Sequence, residues 1–290
     1  MFLAGPAARP DPEAGPTPGL GLRRVLAREF TGHSDAAHHP DLRVFLSDLV
    51  RPYGLVPDEA ALRSGTGHAY GELGEALVRE LVGPDEPVDL LVLVFASPDV
   101  QPGRAAAVHL GSVCPGRPLS FAVCDQGPAA AFTALRIASA YARDGLLRRA
   151  LVLVAEQAQA YYPLVRSAPW PDRHRAVGLL CEAGGPGLLS STDRVGAGAA
   201  ELPGLLAGAW HPGEALLLGP GLARVAAPPG SAPVRIGPGA PFTGIWAALG
   251  DRCAQQRPVL LADHADGLLC LARWQPAQET VRSFVPEEVG

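Results

Sequence analysis

The sequence of 290 residues contains no lysine, no asparagine and a single methionine. Arginine is therefore the only side chain with a fixed positive charge, and any mechanism that needs a lysine amine or an asparagine amide is ruled out. Cysteine is scarce as well. Cys114, Cys124, Cys181, Cys253 and Cys270 are odd in number, lack Cys-x-x-Cys spacing and mostly lie in apolar segments. That pattern argues against a disulfide framework or a zinc site, and buried free thiols in a reducing cytoplasm are expected. There is no secretory apolar region and no apolar span of membrane-crossing length, so a soluble cytoplasmic protein with no membrane partner is expected. Clustered positive charge is missing too: net charge is −5 and the arginines are scattered, which argues against nucleic acid as a partner. No metal or cofactor is expected. His33, His38 and His39 fall in a loop-like stretch before Pro40 without an i,i+4 pair on a helix. Gly65-Thr66-Gly67-His68 is too short for a phosphate-binding signature and follows no strand.

What the chain has is apolar strand-length runs and abundant glycine and proline: 34 Gly, 30 Pro and 48% apolar residues, enough for one large domain or two fused units. Residues 1–20 read as a flexible Pro/Gly-rich leader. Residues 22–30 fit a strand or a short helix equally. Residues 41–50 and 71–81 have the spacing of amphipathic helices. VDLLVLVF at 88–95 is a continuous apolar run of the kind buried on both faces of a sheet, and Ser97-Pro98-Asp99 breaks it. An Ala-rich helix follows at 103–111, then an apolar strand through Leu119, Phe121 and Val123 that reads as buried. The strand breaks at Cys124-Asp125-Gln126-Gly127, and Pro128 opens a helix spaced by Ala131, Leu135, Ala138 and Tyr141. Further strands are expected at 150–155, 176–181, 215–218, 259–262 and 268–272, with a short helix at 245–255. Strands alternating with helices mean an α/β protein with a layered, largely parallel sheet. Two similar halves are expected, at 21–190 and 191–290, the second poorer in helix.

The stretch 119–141 organises the rest. It places a thiol and a carboxylate at the positive end of a helix dipole, where a thiol pKa falls and a developing anion is stabilised. It fits equally a tight turn whose Asp125 caps the helix. His264, in Asp263-His264-Ala265-Asp266-Gly267, follows a strand and has carboxylates on both sides in sequence; it is either a general base or a turn histidine. His109 reads as a packed helix residue and Glu156-Gln157 as a structural strand end.

The order VDLLVLVFASPD, short helix, LSFAV, turn, Ala-rich helix, RRALVLVAEQ resembles the N-terminal half of the thiolase-fold condensing enzymes. The ketoacyl-synthase III group and its acyltransferase relatives fit best. Residues 172–180 look like a worn form of that family's Gly-Asp-Gly-Ala-Ala-Ala strand, and PVLLADHADGLLCLARW looks like its closing hairpin. The resemblance spans residues 22–275. It implies an α/β thiolase-like fold, two related βαβ-rich halves in α-β-α-β-α layers, with the second half shortened. It implies an acyl-CoA or acyl-carrier-protein thioester as ligand, and a turn around His264 near the active-site floor. It also implies dimers formed by pairing strands across a two-fold axis, here through residues 119–123 and the helix around Val108.

The family's chemistry uses a cysteine at the helix N-terminus with a histidine and an asparagine from the second half. In that register the nucleophile falls at Gly127, and Cys124 lies three residues early. Gly219-Pro220-Gly221 stands where His-Gln-Ala-Asn is expected, and residues 239–244 stand for Gly-Asn-Thr-Ser. The triad is thus missing. The expected function is that of a ketoacyl-synthase III-like protein of bacterial specialised metabolism. It would be the non-catalytic subunit of a heteromeric condensing or acyl-transferring enzyme, as a homodimer or paired with a ketosynthase-like chain. The alternative is an autonomous acyltransferase or thioesterase-like enzyme using Cys124 or Asp125 with His264, with Gln126 and Gly127 contacting substrate. A third possibility is a module that binds acyl thioesters without chemistry.

Overall fold

A computed structural model describes residues 19–65, 67–164 and 170–277. Nearly all of the expected leader, Thr66 and the last thirteen positions, 278–290, lie outside the described residues. The first half runs β1 (Leu20–Phe30), α1 (Pro40–Val50), α2 (Glu59–Ser64), α3 (Tyr70–Leu81), β2 (Leu90–Val94), α4 (Ala106–Val113), β3 (Leu119–Val123), α5 (Ala129–Arg143), β4 (Arg149–Glu156) and β5 (His174–Ala183). The second runs β6 (Leu188–Val195), α6 (Leu202–Ala209), β7 (Ala215–Leu218), β8 (Val234–Arg235), α7 (Gly244–Ala254), β9 (Val259–Ala265) and β10 (Leu268–Gln275). Residues 22–30, open between strand and helix from sequence, belong to β1.

The strand order is β3-β2-β4-β5-β1-β6-β10-β9-β7-β8. Read outward from the centre, each half repeats one plan. In the first, β2 is parallel to β3 and β4, and β5 runs antiparallel to β4 and β1. In the second, β7 is parallel to β8 and β9, and β10 runs antiparallel to β9 and β6. The halves join where Gly21 of β1 meets Leu188 of β6.

Side-chain alternation sorts these strands into layers. Leu90, Val92, Val152, Val154, Leu261 and Cys270 point into one core with α5 and α7, whose Phe132 and Trp246 rings lie 4.9 Å apart. Leu91, Leu93, Leu151 and Leu153 point the other way, onto Leu73, Leu77 and Leu110 of α3 and α4. Leu216, Leu218, Leu260 and Leu271 pack on Leu202 and Leu206 of α6. The result is α3/α4, sheet, α5/α7, sheet, α6. Strand β4 is buried along its whole length, as expected for a strand covered on both faces. A cap formed by α1 and α2 packs Leu42, Leu46 and Leu62 against Val100 and Tyr161. Where the first half has α4 between its second and third strands, the second has a 3-10 turn, Pro220–Leu222.

One expectation is corrected. Residues 119–123 do not form a buried strand: β3 is the sheet edge, Leu119 is 54% exposed, and only Val123 is buried. An edge strand leaves one side of its backbone without a ladder partner. Among the described residues, no helix is long and apolar enough to cross a membrane.

Candidate functional site

A cavity of about 1290 Å³ opens where the carboxyl ends of parallel strands from both halves converge. Strand β2 leads to Ala96 and Ser97, β4 ends in Glu156 and Gln157, and β9 delivers His264, Ala265 and Asp266. Asp125 and Gly127 enter from the turn between β3 and α5, and Pro220 and Gly221 from the turn after β7.

The β3–α5 turn is tight. Asp125 and Gly127 both adopt left-handed backbone conformations, with φ of 61° and 50°. For Asp125 this is an uncommon state for a side chain to hold. Ala129 N–H donates to the Gln126 carbonyl at 3.0 Å and Ala130 N–H to that of Gly127 at 3.3 Å, closing the turn into α5. A Cβ built on Gly127 would meet nothing within 4 Å. At the N-terminus of α5 and on the cavity wall the chain thus has a glycine in a left-handed conformation with open space beside it.

Cys124 lies elsewhere. It is not among the cavity-lining residues, and its thiol donates to the Asp125 carboxylate at 3.6 Å. Burial, and then the adjacent Asp125 charge, push its pKa up, opposite to the direction that activates a nucleophilic thiol. No side chain caps α5, so Asp125 is not the helix cap that a tight-turn reading expects. Gln126 folds back along α5, its Oε1 accepting from the Thr133 hydroxyl at 2.7 Å.

In the second half the Gly219-Pro220-Gly221 turn is moulded around Asp263. This carboxyl is 2% exposed, and its Oδ1 accepts from Gly221 N–H at 3.0 Å and His264 N–H at 2.8 Å. Burial raises its pKa to about 6, against the opposing pull of those two donors. A Cβ on Gly219 would overlap the Asp263 carboxyl, and one on Gly221 would overlap the His264 carbonyl. Neither glycine of this turn can be exchanged for a residue with a Cβ without moving Asp263 or the His264 carbonyl. His264 lines the cavity, with its Nε2 3.0 Å from the Ala197 carbonyl, which fixes the ring.

Glu156 is 1% exposed and fully engaged. Its Oε2 accepts from Phe242 N–H at 3.0 Å and Thr243 N–H at 3.1 Å. Its Oε1 accepts from the Thr243 hydroxyl at 2.6 Å, with Arg175 Nη1 3.3 Å away. Burial raises its pKa while these donors lower it. The carboxylate therefore ties β4 of the first half to the N-terminus of α7 in the second. A second network holds the opposite wall. The Tyr70 hydroxyl and Ser97 Oγ are 2.7 Å apart, and Gln157 bridges Asp99 and the His68 carbonyl at 3.2 and 2.7 Å.

Of the residues singled out from sequence, the cavity brings together Asp125, Gly127 and His264 and leaves out Cys124 and Gln126. Sequence reasoning passed over Ser97, Tyr70, Trp170, Asp172 and Arg224 as cavity residues and noted Asp263 only as a neighbour of His264.

No protein-family profile matches the sequence, and no curated protein matches it. Solved structures do. The acyltransferase ChlB3 aligns with a TM-score of 0.58 at 16% identity, over 90% of this chain and 98% of its own. The priming β-ketosynthase of the R1128 polyketide biosynthetic pathway aligns with 0.56 at 13% identity, over 92% and 100%. An HMG-CoA synthase complexed with CoA aligns with 0.53 at 10% identity, over 89% and 82%. At these identities the likeness establishes the fold: the chain has the thiolase-like α/β fold.

Proposed function

We propose that this chain is a ketoacyl-synthase III-like protein of specialised metabolism that has lost its nucleophile. In this reading it is the non-catalytic subunit of a heteromeric condensing or acyl-transferring enzyme. The observation that carries the reading is Gly127: a left-handed turn residue at the α5 N-terminus, facing a large cavity, with open space where a nucleophile's side chain would stand. The raised thiol pKa of Cys124 and the Gly-Pro-Gly turn packed on Asp263 support it from either side of the site. The retained cavity suits an acyl-CoA or acyl-carrier-protein thioester, in keeping with the acyltransferase and CoA-bound synthase among the similar structures.

The partner is a thiolase-fold chain that pairs its own edge strand with β3. The free edge of β3, the 54% exposed Leu119 and the 62% exposed Val108 on α4 support that surface. Co-expression with a cysteine-bearing ketosynthase-like subunit is expected to yield a stable hetero-oligomer by light scattering. The double variant L119E/V108E is expected to dissociate it while leaving the thermal midpoint of this chain within about 2 °C, as for other exposed positions. A chain that stays monomeric beside such a partner contradicts the reading.

A second reading, autonomous acyl transfer, is favoured by one observation: Asp125 and His264 wall the same cavity. Turnover of an acyl thioester by the isolated chain, lost in H264A, would select it.

A further inference from the structure

The two ends of β3 carry opposite charges in the same uncommon backbone state. Four non-glycine residues among those described have a positive φ, and two of them bracket this strand: Arg117 at 49° and Asp125 at 61°. They stand at equal distances either side of Phe121, the middle residue of β3. Left-handed backbone is rare for arginine, and residues held in sparsely populated states cluster at functional places in a fold. Both side chains are exposed. Neither is in an ion pair among the described residues, and the Asp125 carboxylate accepts from the Cys124 thiol at 3.6 Å. Apolar surface lies beside them, in the exposed Leu119 of β3 and the exposed Val108 and Val113 of α4.

The backbone limits what can pair with this edge. Leu119 N–H donates to the Asp89 carbonyl at 2.9 Å and Phe95 N–H to the Val123 carbonyl at 3.4 Å, so the odd-numbered residues of β3 bond to β2. In a parallel pair the intervening residues face away, which leaves the N–H and C=O groups of Ser120 and Ala122 at the open edge. A second copy related by a two-fold axis through this edge lays its own β3 antiparallel to it. Centred on Phe121, the pair sets Ser120 against Ala122 of the second copy, so that these groups bond, and sets Arg117 against Asp125 at both ends. Centred on Ser120 or Ala122, it sets Asp125 against Pro115 or Leu119 and leaves the charges unmatched. We propose that β3 is self-complementary in the Phe121-centred register: a second copy of the chain docks on it, and Arg117 of each copy reaches Asp125 of the other. Because Asp125 lines the cavity, each cavity wall is then completed by an arginine of the neighbouring copy. The inference rests on the reading of β3 as the pairing edge and adds the occupant, the register and the ionic contacts. A ketosynthase-like subunit docking on β3 would displace the second copy, so the two assemblies are measured separately.

The test is sedimentation of the full chain, alone, over a dilution series. The parent is expected to sediment as a dimer. R117D and D125R each set like charges together and are expected to raise the dimer dissociation constant about tenfold or more. R117D/D125R restores the pair with its signs exchanged and is expected to return to within about threefold of the parent, a rescue that damage to the fold would not give. D125R places in left-handed backbone a residue type that the chain already holds there at position 117. F121C tests the register. Under mild oxidation it is expected to give a covalent dimer that the parent does not, because a non-hydrogen-bonded antiparallel pair brings the two Cα atoms within disulfide range. A monomeric parent, a dimer indifferent to R117D and D125R, a double variant no better than the singles, or an F121C dimer that fails to cross-link overturns the inference. In each of those cases hetero-oligomer formation on co-expression still decides the proposed function by itself.

Discussion

Asp263 is a carboxyl group in the interior with two backbone donors and no ion-pair partner among the described residues. Its pKa in the folded chain is about 6, against an ordinary 3.8, so folding favours the protonated form. The stabilising contribution is complete below pH 4 and is lost as pH rises through 6. The linked change is on the order of 3 kcal/mol between those limits. D263N keeps a neutral group of the same shape and should remove that dependence. Its urea midpoint is expected to rise relative to the parent between pH 5 and pH 8, and parallel curves would contradict the assignment. At this scale the sequence was partly legible. Gly127 stands out only through the family resemblance, by counting that family's register from Phe121; its residue type alone does not mark it. Asp263 does not stand out, because one acid after an apolar run reads as readily as a turn residue as it does as a buried one, and only the surrounding fold decides. Asp is among the few side-chain-bearing residues that tolerate the left-handed backbone found at Asp125, but residue type alone does not say that it adopts it.

The elements that positioned the site were mostly readable, since β2, β4, β9 and α5 carry continuous apolar runs or clean helical spacing. Those that escaped did so for physical reasons. Strand β6 sits mid-order, yet it is paired in the ladder with β1 at Gly21–Leu188 alone, so most of its length tolerates the polar stretch Ser190-Ser191-Thr192-Asp193-Arg194. Helix α6 contains Pro203, Gly204 and Gly208, poor helix formers that the burial of Leu202 and Leu206 overrides. Strand β3 is apolar but lies at the edge, a distinction that a five-residue run does not carry. The buried Glu156 side chain is among those that link elements across the halves. In E156A the Thr243 hydroxyl, two N–H groups and the Arg175 guanidinium lose their buried acceptor. A loss of about 3 kcal/mol or more is expected. That corresponds to a fall in thermal midpoint of about 6 °C or more by calorimetry. E156Q, which keeps an acceptor, should recover part of it. An unchanged midpoint in E156A would show that α7 is held by packing alone.

For the whole molecule, one β-α plan is used twice, with a cavity where strand ends of both halves converge. The layered α/β class followed from the alternation of apolar runs and helices. The doubling was visible only faintly in sequence, because the second half replaces a helix by the Pro220–Leu222 turn and its third strand is two residues long. In the proposed reading the cavity holds a thioester and the free edge of β3 joins a second chain. The measurement that bears on this most directly is intact mass after exposure to an acyl thioester, comparing the parent chain with C124A and with C124A/G127C. The account predicts no acyl adduct on the parent or on C124A, and one adduct on C124A/G127C, despite about 1–2 kcal/mol of backbone strain for a side chain in that left-handed position. An adduct on the parent that disappears in C124A would contradict it, placing a working nucleophile where the account has none.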